Sequence, residues 1–333
     1  MDFLVVNEFL GKPVWMWLAF VTIVASLLVF DLGVLNKGQQ EIGVRQSLKL
    51  STFYFGLAML FGAWVWWYMG PTSGMEYYTG FFVEWSLSLD NVFAISMIFT
   101  YFAVPRKYQH RVLFWGIVGV VAMRGVMIGL GAALVAEFQW ILYFFGAFLF
   151  FTGVKMLVMA DKEGNLGDNP VLKYLQRHMR VTPELHGERF FVTKTDAATG
   201  KAVRWATPLF LCLVLVETVD LVFAVDSVPA IFAITTDPFI VYTSNIFAIM
   251  GLRSLYFALA AMIHRFRYLK YALATILLFV GTKIFLVGFG IKIPAPLSLS
   301  ITVGLIAAGI LYSLWRTRGE PEAEAAAVEK SAA

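Results

Sequence analysis

An all-helical protein that crosses a membrane about nine times is the fold class this sequence predicts. Three observations carry the prediction. Of its 333 residues, 59% are hydrophobic and 14% charged, against roughly a quarter charged in a soluble domain. Mean hydropathy is +0.75. The apolar residues run in unbroken blocks, whereas a membrane barrel would alternate them. A soluble globular domain, a disordered chain and a disulfide scaffold are all excluded. The single cysteine, Cys212, leaves neither a disulfide framework nor a cysteine-rich metal site.

A helix needs about 20 apolar residues to cross the hydrocarbon. Nine segments qualify: 14–35, 48–69, 77–103, 112–135, 138–160, 207–234, 239–263, 271–290 and 297–315. The first is no signal peptide, because Asp2 and Glu8 stand where a basic leader is expected and no small-residue cleavage site follows. The pI near 9.0 invites a nucleic-acid reading, but the placement of the basic residues points elsewhere. Twenty of the 26 Lys and Arg residues fall on one side of the predicted spans, and only Lys12 and Lys292 on the other. Basic loops stay cytoplasmic, so the N-terminus is expected outside and the C-terminus inside. Trp15, Trp17, Trp66, Trp67 and Trp140 sit near span ends, as interfacial anchors should.

The organisation follows. Residues 1–76 hold two peripheral spans, and 77–160 form a first three-helix unit. Residues 161–206 form a cytoplasmic loop with an amphipathic helix at 168–180 and a hairpin flanking Asp-Ala-Ala-Thr-Gly, its basic charge suited to an anionic leaflet. A second three-helix unit covers 207–290, a ninth span 291–315 and a disordered Glu- and Ala-rich tail 316–333. The two units echo each other. Asp90-Asn-Val-Phe-Ala-Ile resembles Asp220-Leu-Val-Phe-Ala-Val, Met123-Arg124-Gly125 answers Leu252-Arg253-Ser254, and Phe151-Thr-Gly-Val-Lys155 answers Phe279-Val-Gly-Thr-Lys283. A competing alignment pairs Asp90 with Asp226 and Glu84 with Asp220. Both remain open at this point. Three spans are an odd number, so the second unit enters from the opposite side, the inverted repeat of many secondary transporters.

Six acids fall inside the predicted spans: Asp31, Glu84, Asp90, Glu217, Asp220 and Asp226. Four bases, Arg124, Lys155, Arg253 and Lys283, join them. Each charge at mid-membrane costs about 2.5–3.5 kcal/mol on insertion scales, so these groups must face one another, water or an ion. Asp90 and Asp220 lie near mid-span on antiparallel helices and are expected to meet. Glu84 and Glu217 flank them as further ligands or proton carriers. Glu84, Ser88 and Asn91 share one face of a helix, and Pro229 frees the Val225 carbonyl beside Asp226 and Ser227. The set Glu84, Asp90, Asn91, Glu217, Asp220, Asp226 and Ser227 is all oxygen and suits a hard cation such as Mn²⁺, Mg²⁺ or Ca²⁺. No His falls in a span, against the usual zinc chemistry. The competing reading is structural: the acids pair with the four bases and lock helices together.

The stretches Glu84-Trp-Ser-Leu-Ser-Leu-Asp90-Asn91, Trp140 to Lys155 and Glu217-Thr-Val-Asp220 through Asp226-Ser-Val-Pro229 to Pro238 resemble the bacterial TerC family, its Alx-like branch most of all. The resemblance covers about 14–315 and extends to the LysE-type transporters, built from paired three-helix units. It implies a multi-pass protein of the bacterial inner membrane tied to manganese export and tellurium-oxyanion resistance, with the span-three and span-six acids carrying the metal. The tellurium label draws no support from the residues, since an acidic path repels an oxyanion. The expectation is a secondary transporter exporting Mn²⁺ in exchange for protons, with no permanent cofactor, no nucleic-acid partner and no enzymatic activity. The alternative is a non-transporting membrane protein acting in stress resistance, redox modulation or metal loading.

Overall fold

The computed structural model describes residues 8–35, 44–138, 140–158, 169–195, 202–260 and 268–317. Among them are ten helices: α1 (Val14–Leu35), α2 (Val44–Met69), α3 (Pro71–Tyr101), α4 (Arg106–Glu137), α5 (Ile141–Val158), α6 (Pro170–His178), α7 (Pro208–Phe232), α8 (Pro238–Ala260), α9 (Leu269–Gly288) and α10 (Ala295–Arg316). All but α6 lie where the apolar blocks lie. Proline opens α3, α6, α7 and α10 within their first two positions, where its missing N–H costs nothing. Gly70, with φ 95°, makes the one-residue break between α2 and α3, a backbone conformation only glycine adopts freely.

Among the described residues six helices are long and apolar enough to cross a membrane: Arg45–Met69, Arg106–Glu137, Ile141–Val158, Pro208–Phe232, Leu269–Val287 and Ala295–Arg316. Val14–Phe30 is a shorter apolar stretch. The sequence-based count of nine is therefore met in part. The helices at 77–103 and 239–263 are long, 31 residues for α3 and 23 for α8, and each includes side chains outside the described residues.

Two faces can be told apart. Lys12, ahead of α1, pairs with Asp237 between α7 and α8 at 2.8 Å. At the opposite end Arg111, in the first turns of α4, meets Glu188 at 3.3 Å beside the hairpin. On that hairpin face α6 is capped by Asn169, whose Oδ1 accepts from Val171 N (2.9 Å) and Leu172 N (3.4 Å). The strands β1 (Glu8–Phe9) and β2 (Lys12–Pro13) form a minimal ladder on the Lys12 face, and β3 (Phe191–Thr195) pairs antiparallel with β4 (Ala202–Ala206) on the other. Residues 196–201, which hold the whole expected turn Asp-Ala-Ala-Thr-Gly, lie outside the described residues, as does the tail from 318 on.

Packing holds the helices in place by two means. Around α1, α2, α3 and α8 the core is aromatic: Phe20, Tyr77, Phe81, Phe239 and Phe247 are all buried in one cluster. Tyr77 and Tyr78 also donate to the carbonyls of Ala58 and Met59 on α2. Between α5 and α9 the contact is backbone on backbone. A Cβ at Gly281 would lie 2.7 Å from the Gly146 carbonyl oxygen and 2.9 Å from Phe150 N, and one at Gly153 2.9 Å from the Ala274 carbonyl oxygen. Small residues allow this approach, and the pairing of 146 with 281 and 153 with 274 makes the two helices antiparallel. Helices α3 and α7 are antiparallel as well, since Asn91 reaches Asp220 while Gly80 faces Ile231. So are α4 and α8: Tyr242 donates to the Val121 carbonyl, and Ile117 clusters with Ile249.

The α5–α9 contact yields a test. Gly281→Ala places a methyl against backbone that cannot yield, and overpacking of this kind costs about 1–3 kcal/mol. Thermal unfolding in detergent is expected to show the loss, while Gly129→Ala, with open space at its Cβ position, leaves the midpoint unchanged.

Candidate functional site

Halfway along α3, α4, α7 and α8 lies a network of polar side chains in an otherwise apolar interior. Glu84 and Arg124 are each 1% exposed and form an ion pair, Oε1 to Nη1, of 2.7 Å. The same Arg124 nitrogen donates to Asn245 Oδ1 at 2.7 Å and to Ser227 Oγ at 2.8 Å. Asn245 Nδ2 returns a hydrogen bond to Glu84 Oε2 at 3.1 Å, and Ser88 Oγ donates to Glu84 Oε1 at 3.3 Å. Both carboxylate oxygens of Glu84 are thus taken. The helix face read from the sequence is real: Glu84, Ser88 and Asn91, each one turn apart on α3, line one small cavity.

That cavity has a volume of about 30 Å³, and Arg124, Asp226 and Ser227 complete its polar lining. A water or one dehydrated ion fits, since about 10–15 Å³ admits a water. Leu87, Met156, Phe223 and Leu277 supply the apolar wall. Beside it Asn91 Nδ2 donates to Asp220 Oδ1 at 3.1 Å, and Thr152 Oγ1 donates to Asp226 Oδ1 at 3.3 Å. Two buried acceptors in this region have no partner among the described residues, Asn91 Oδ1 and Glu217 Oε2. Buried oxygens are rarely left so. Both are acceptor atoms, and a cation or a proton-bearing group would complete them. Glu217 lies over Gly119 on α4, where a Cβ would collide with its carboxylate. Glycine at 119 makes room for that acid.

The side chains of Asp31, Asp90 and Arg253 lie outside the described residues. The expected meeting of Asp90 with Asp220 therefore has no side-chain description; the neighbour Asn91 is the residue that reaches Asp220. Among the described residues no three Asp, Glu, His or Cys side chains converge into a metal cluster. The acids are instead distributed, each with a different partner: Glu84 with a guanidinium, Asp220 with an amide and Asp226 with a hydroxyl. The lock reading of the sequence holds for Glu84 and Arg124. Thr152 and Asn245 were not among the residues singled out from sequence. Asn245 closes the run Thr243-Ser244-Asn245, and three polar residues in a row inside an apolar span were the signal for it.

Comparison with known proteins places this geometry in a family. The family model described as integral membrane protein TerC family matches residues 69–320. The chain belongs to the TerC family. A membrane protein of Rickettsia bellii is 49% identical over 300 residues, covering 90% of this chain and 97% of its own. One of Myxococcus xanthus is 44% identical over 315 residues, 95% of this chain and 96% of its own. A protein of Escherichia coli K12, provisionally named a membrane-bound redox modulator, Alx, is 43% identical over 314 residues, 92% and 95% of the two chains. No solved structure matches. The TerC match spans every residue of the network described above, and this TerC protein is an integral, multi-pass membrane protein.

The ion pair generates its own prediction. Removing one partner of a buried pair costs about 3–5 kcal/mol, because the other charge is left uncompensated. Arg124→Met is expected to lose about that much in detergent unfolding. The double variant Arg124→Met with Glu84→Gln should recover most of it, a non-additivity that a double-mutant cycle measures.

Proposed function

We propose that this TerC protein is a secondary transporter that carries a divalent cation, Mn²⁺, out across the bacterial inner membrane in exchange for protons, by alternating access. It acts as a carrier with no enzymatic activity and no permanent cofactor, with the metal ion as cargo and the bilayer as its surroundings. The site is assigned to Glu84, Asp90, Asn91, Glu217, Asp220, Asp226 and Ser227. One observation carries the reading: a 30 Å³ cavity where Glu84, Ser88, Asn91, Asp226 and Ser227 meet beside the Arg124 guanidinium, with Asn91 Oδ1 unpartnered among the described residues. Oxygen donors suit a hard cation, and the Arg124 charge is paired with Glu84. The manganese assignment and the outward direction come from the family resemblance.

The helix arrangement supports the rest. Each long helix of residues 77–160 packs antiparallel on its counterpart in 207–290, α3 on α7, α4 on α8 and α5 on α9, as units of opposite topology would. The glycines of the two echoing motifs, Gly153 and Gly281, both lie in the α5–α9 contact. On this reading all nine long helices span the bilayer, the Lys12 face is periplasmic and the hairpin face cytoplasmic. That places the β3–β4 hairpin and α6 where anionic lipid draws their basic residues.

The name of the E. coli relative favours a second reading, a membrane protein that modulates redox state without transport. Cys212 does not serve it: the thiol is fully buried among Leu209, Leu215 and Val216, out of reach of a redox partner.

Flux separates the two. In proteoliposomes the wild-type chain is expected to move Mn²⁺ when a pH gradient is imposed, and Asp220→Asn to abolish that movement. Asn91→Ala, which removes the donor that orients Asp220, should weaken apparent Mn²⁺ affinity about 10- to 100-fold, as losing a group that orients a ligand does. Absence of flux in the wild type, or full flux in Asp220→Asn, refutes the transporter.

A further inference from the structure

Two cavities adjoin near the Lys12 face, one apolar and one polar. The apolar one, of about 820 Å³, opens between α4, α5, α7 and α9. Its walls follow from the packing on either side. Glycine at 131 brings α4 onto Phe232 of α7, and glycines at 146, 153 and 281 bring α5 onto α9. Between these two contacts α4 presents Ala132, Ala133 and Ala136, side chains too small to fill the gap. Val135, Phe232 and Ile284 line it as buried residues, while Leu10, Trp140 and Tyr143 line it as exposed ones. The space is thus a crevice with a closed floor and an open, partly aromatic mouth, and in a membrane-spanning chain such a mouth faces lipid.

The polar cavity, of about 300 Å³, shares Ala233, Lys283 and Val287 with the crevice. Thr72, Glu76, Thr79, Lys292 and Ser298 also line it. Two ammonium groups therefore stand against one carboxylate, an excess of one positive charge. The Lys12–Asp237 pair, closed at 2.8 Å, adds none. Lys283 is half-buried, and its Nζ donates to Ser298 Oγ at 3.4 Å. It forms no ion pair among the described residues. An ammonium carries three donors, and one set into a membrane span calls for an anion. Ala295, the first residue of α10, borders the same cavity, and no side-chain hydrogen bond caps that helix. The free N–H groups of a helix start add to the attraction for an anion.

We propose that the two cavities form one site for an anionic phospholipid, with the headgroup phosphate against Lys283 and Lys292 and an acyl chain in the apolar crevice. Basic pockets between membrane helices hold anionic headgroups by the same attraction. The charge excess opposes a cation and disfavours a zwitterionic lipid, whose own ammonium would meet two lysines. The crevice argues against a free phosphate, which would leave empty an apolar space as large as a small-molecule site, about 300–1,000 Å³. Depth agrees as well. Thr72 and Ala295 stand at the first turns of α3 and α10, Lys292 lies between α9 and α10, and Trp140 lies between α4 and α5, the level at which headgroups and interfacial aromatics are found. A lipid so seated joins the α4–α7 contact to the α5–α9 contact. The site lies apart from the polar network at mid-depth and does not rest on the transporter reading.

Native mass spectrometry of the full chain in neutral detergent tests the site, with dioleoyl phosphatidylglycerol and dioleoyl phosphatidylcholine titrated in turn. Phosphatidylglycerol is expected to bind the more tightly. The basic hairpin face attracts anionic lipid too, so the variants decide. Lys283→Met and Lys292→Met should each weaken the tightest phosphatidylglycerol site about fivefold, the contribution of one lysine near an anionic surface, and Lys283→Arg should retain it. Lys292 is exposed, so its variant reports even should Lys283→Met not fold. Ala136→Phe, which fills the crevice without touching the charge, should weaken the same site. Inorganic phosphate should not displace the lipid. Equal binding of the two lipids, an affinity unchanged in Lys292→Met or in Ala136→Phe, or displacement by inorganic phosphate, the mark of a site for the free anion, overturns the proposal.

Discussion

The Glu84–Arg124 pair is the constraint around which the interior is organised. Neither group can be exposed to hydrocarbon or left alone, since an uncompensated charge at this depth is far more costly than any single apolar contact can offset. Satisfying them fixes four helices at once. Glu84 is on α3 and Arg124 on α4, while the remaining donors and acceptors, Ser227 and Asn245, come from α7 and α8. The crossing of those helices is thereby set by polar geometry at mid-depth and by apolar packing above and below. Gly80, whose Cβ position is 3.0 Å from Ser244 Oγ, keeps α3 close enough to α8 for the bonds to form.

The apolar packing on either side of the pair closes the buried cavity twice. Towards the Lys12 face stands the layer of Val83, Ala230, Leu277 and Val280. Towards the hairpin face stand Val92, Ile95, Phe99, Leu215 and Val216, packed with Tyr256 and Phe257. Both layers draw on α3 and on α7, the helices that also line the cavity. Alternating access, as proposed above, would need a tilt of α3 against α7 that thins one layer and compresses the other. On the hairpin face the second layer is continuous with Leu172 of α6 and Ala206 of β4, so the hairpin assembly rests directly on the closure.

Much of this was legible in the sequence, and the parts that were not share one cause. Helix positions followed from apolar blocks of membrane length, and the shared face of Glu84, Ser88 and Asn91 followed from helical periodicity, because both depend on local spacing alone. The β3–β4 strands coincide with the stretch read as a hairpin for the same reason. What spacing cannot supply is the rotation of each helix about its axis. That rotation decides that Arg124 selects Glu84 among the described acids, that Asn91 contacts Asp220, and that Thr152, 74 positions earlier in the chain, caps Asp226. Asn245 carries no charge, so the cost of burying charge in a span, which marks Glu84 and Arg124, does not mark it.

The partners of the acids assign different roles to the two units. On α3 the described acid at mid-depth, Glu84, is neutralised by a guanidinium and bound by two further donors, so little of its charge is available to an ion. On α7 Asp220 and Asp226 are held by an amide and a hydroxyl, neutral donors that orient a carboxylate without cancelling its charge. Glu217 keeps one oxygen without a partner. A cation entering the cavity would therefore draw its negative charge mainly from α7 and its neutral oxygens from Ser88 and Asn91 of α3. Arg124 is within electrostatic reach of Asp220 as well as bound to Glu84, so its position couples the two helices. Moved towards α7 it would compete with a cation for Asp220; held on Glu84 it leaves the α7 acids free to bind one. On the proposed inverted repeat and transport function, the two units would thus divide the labour unequally, with α3 supplying the anchor and α7 the charge.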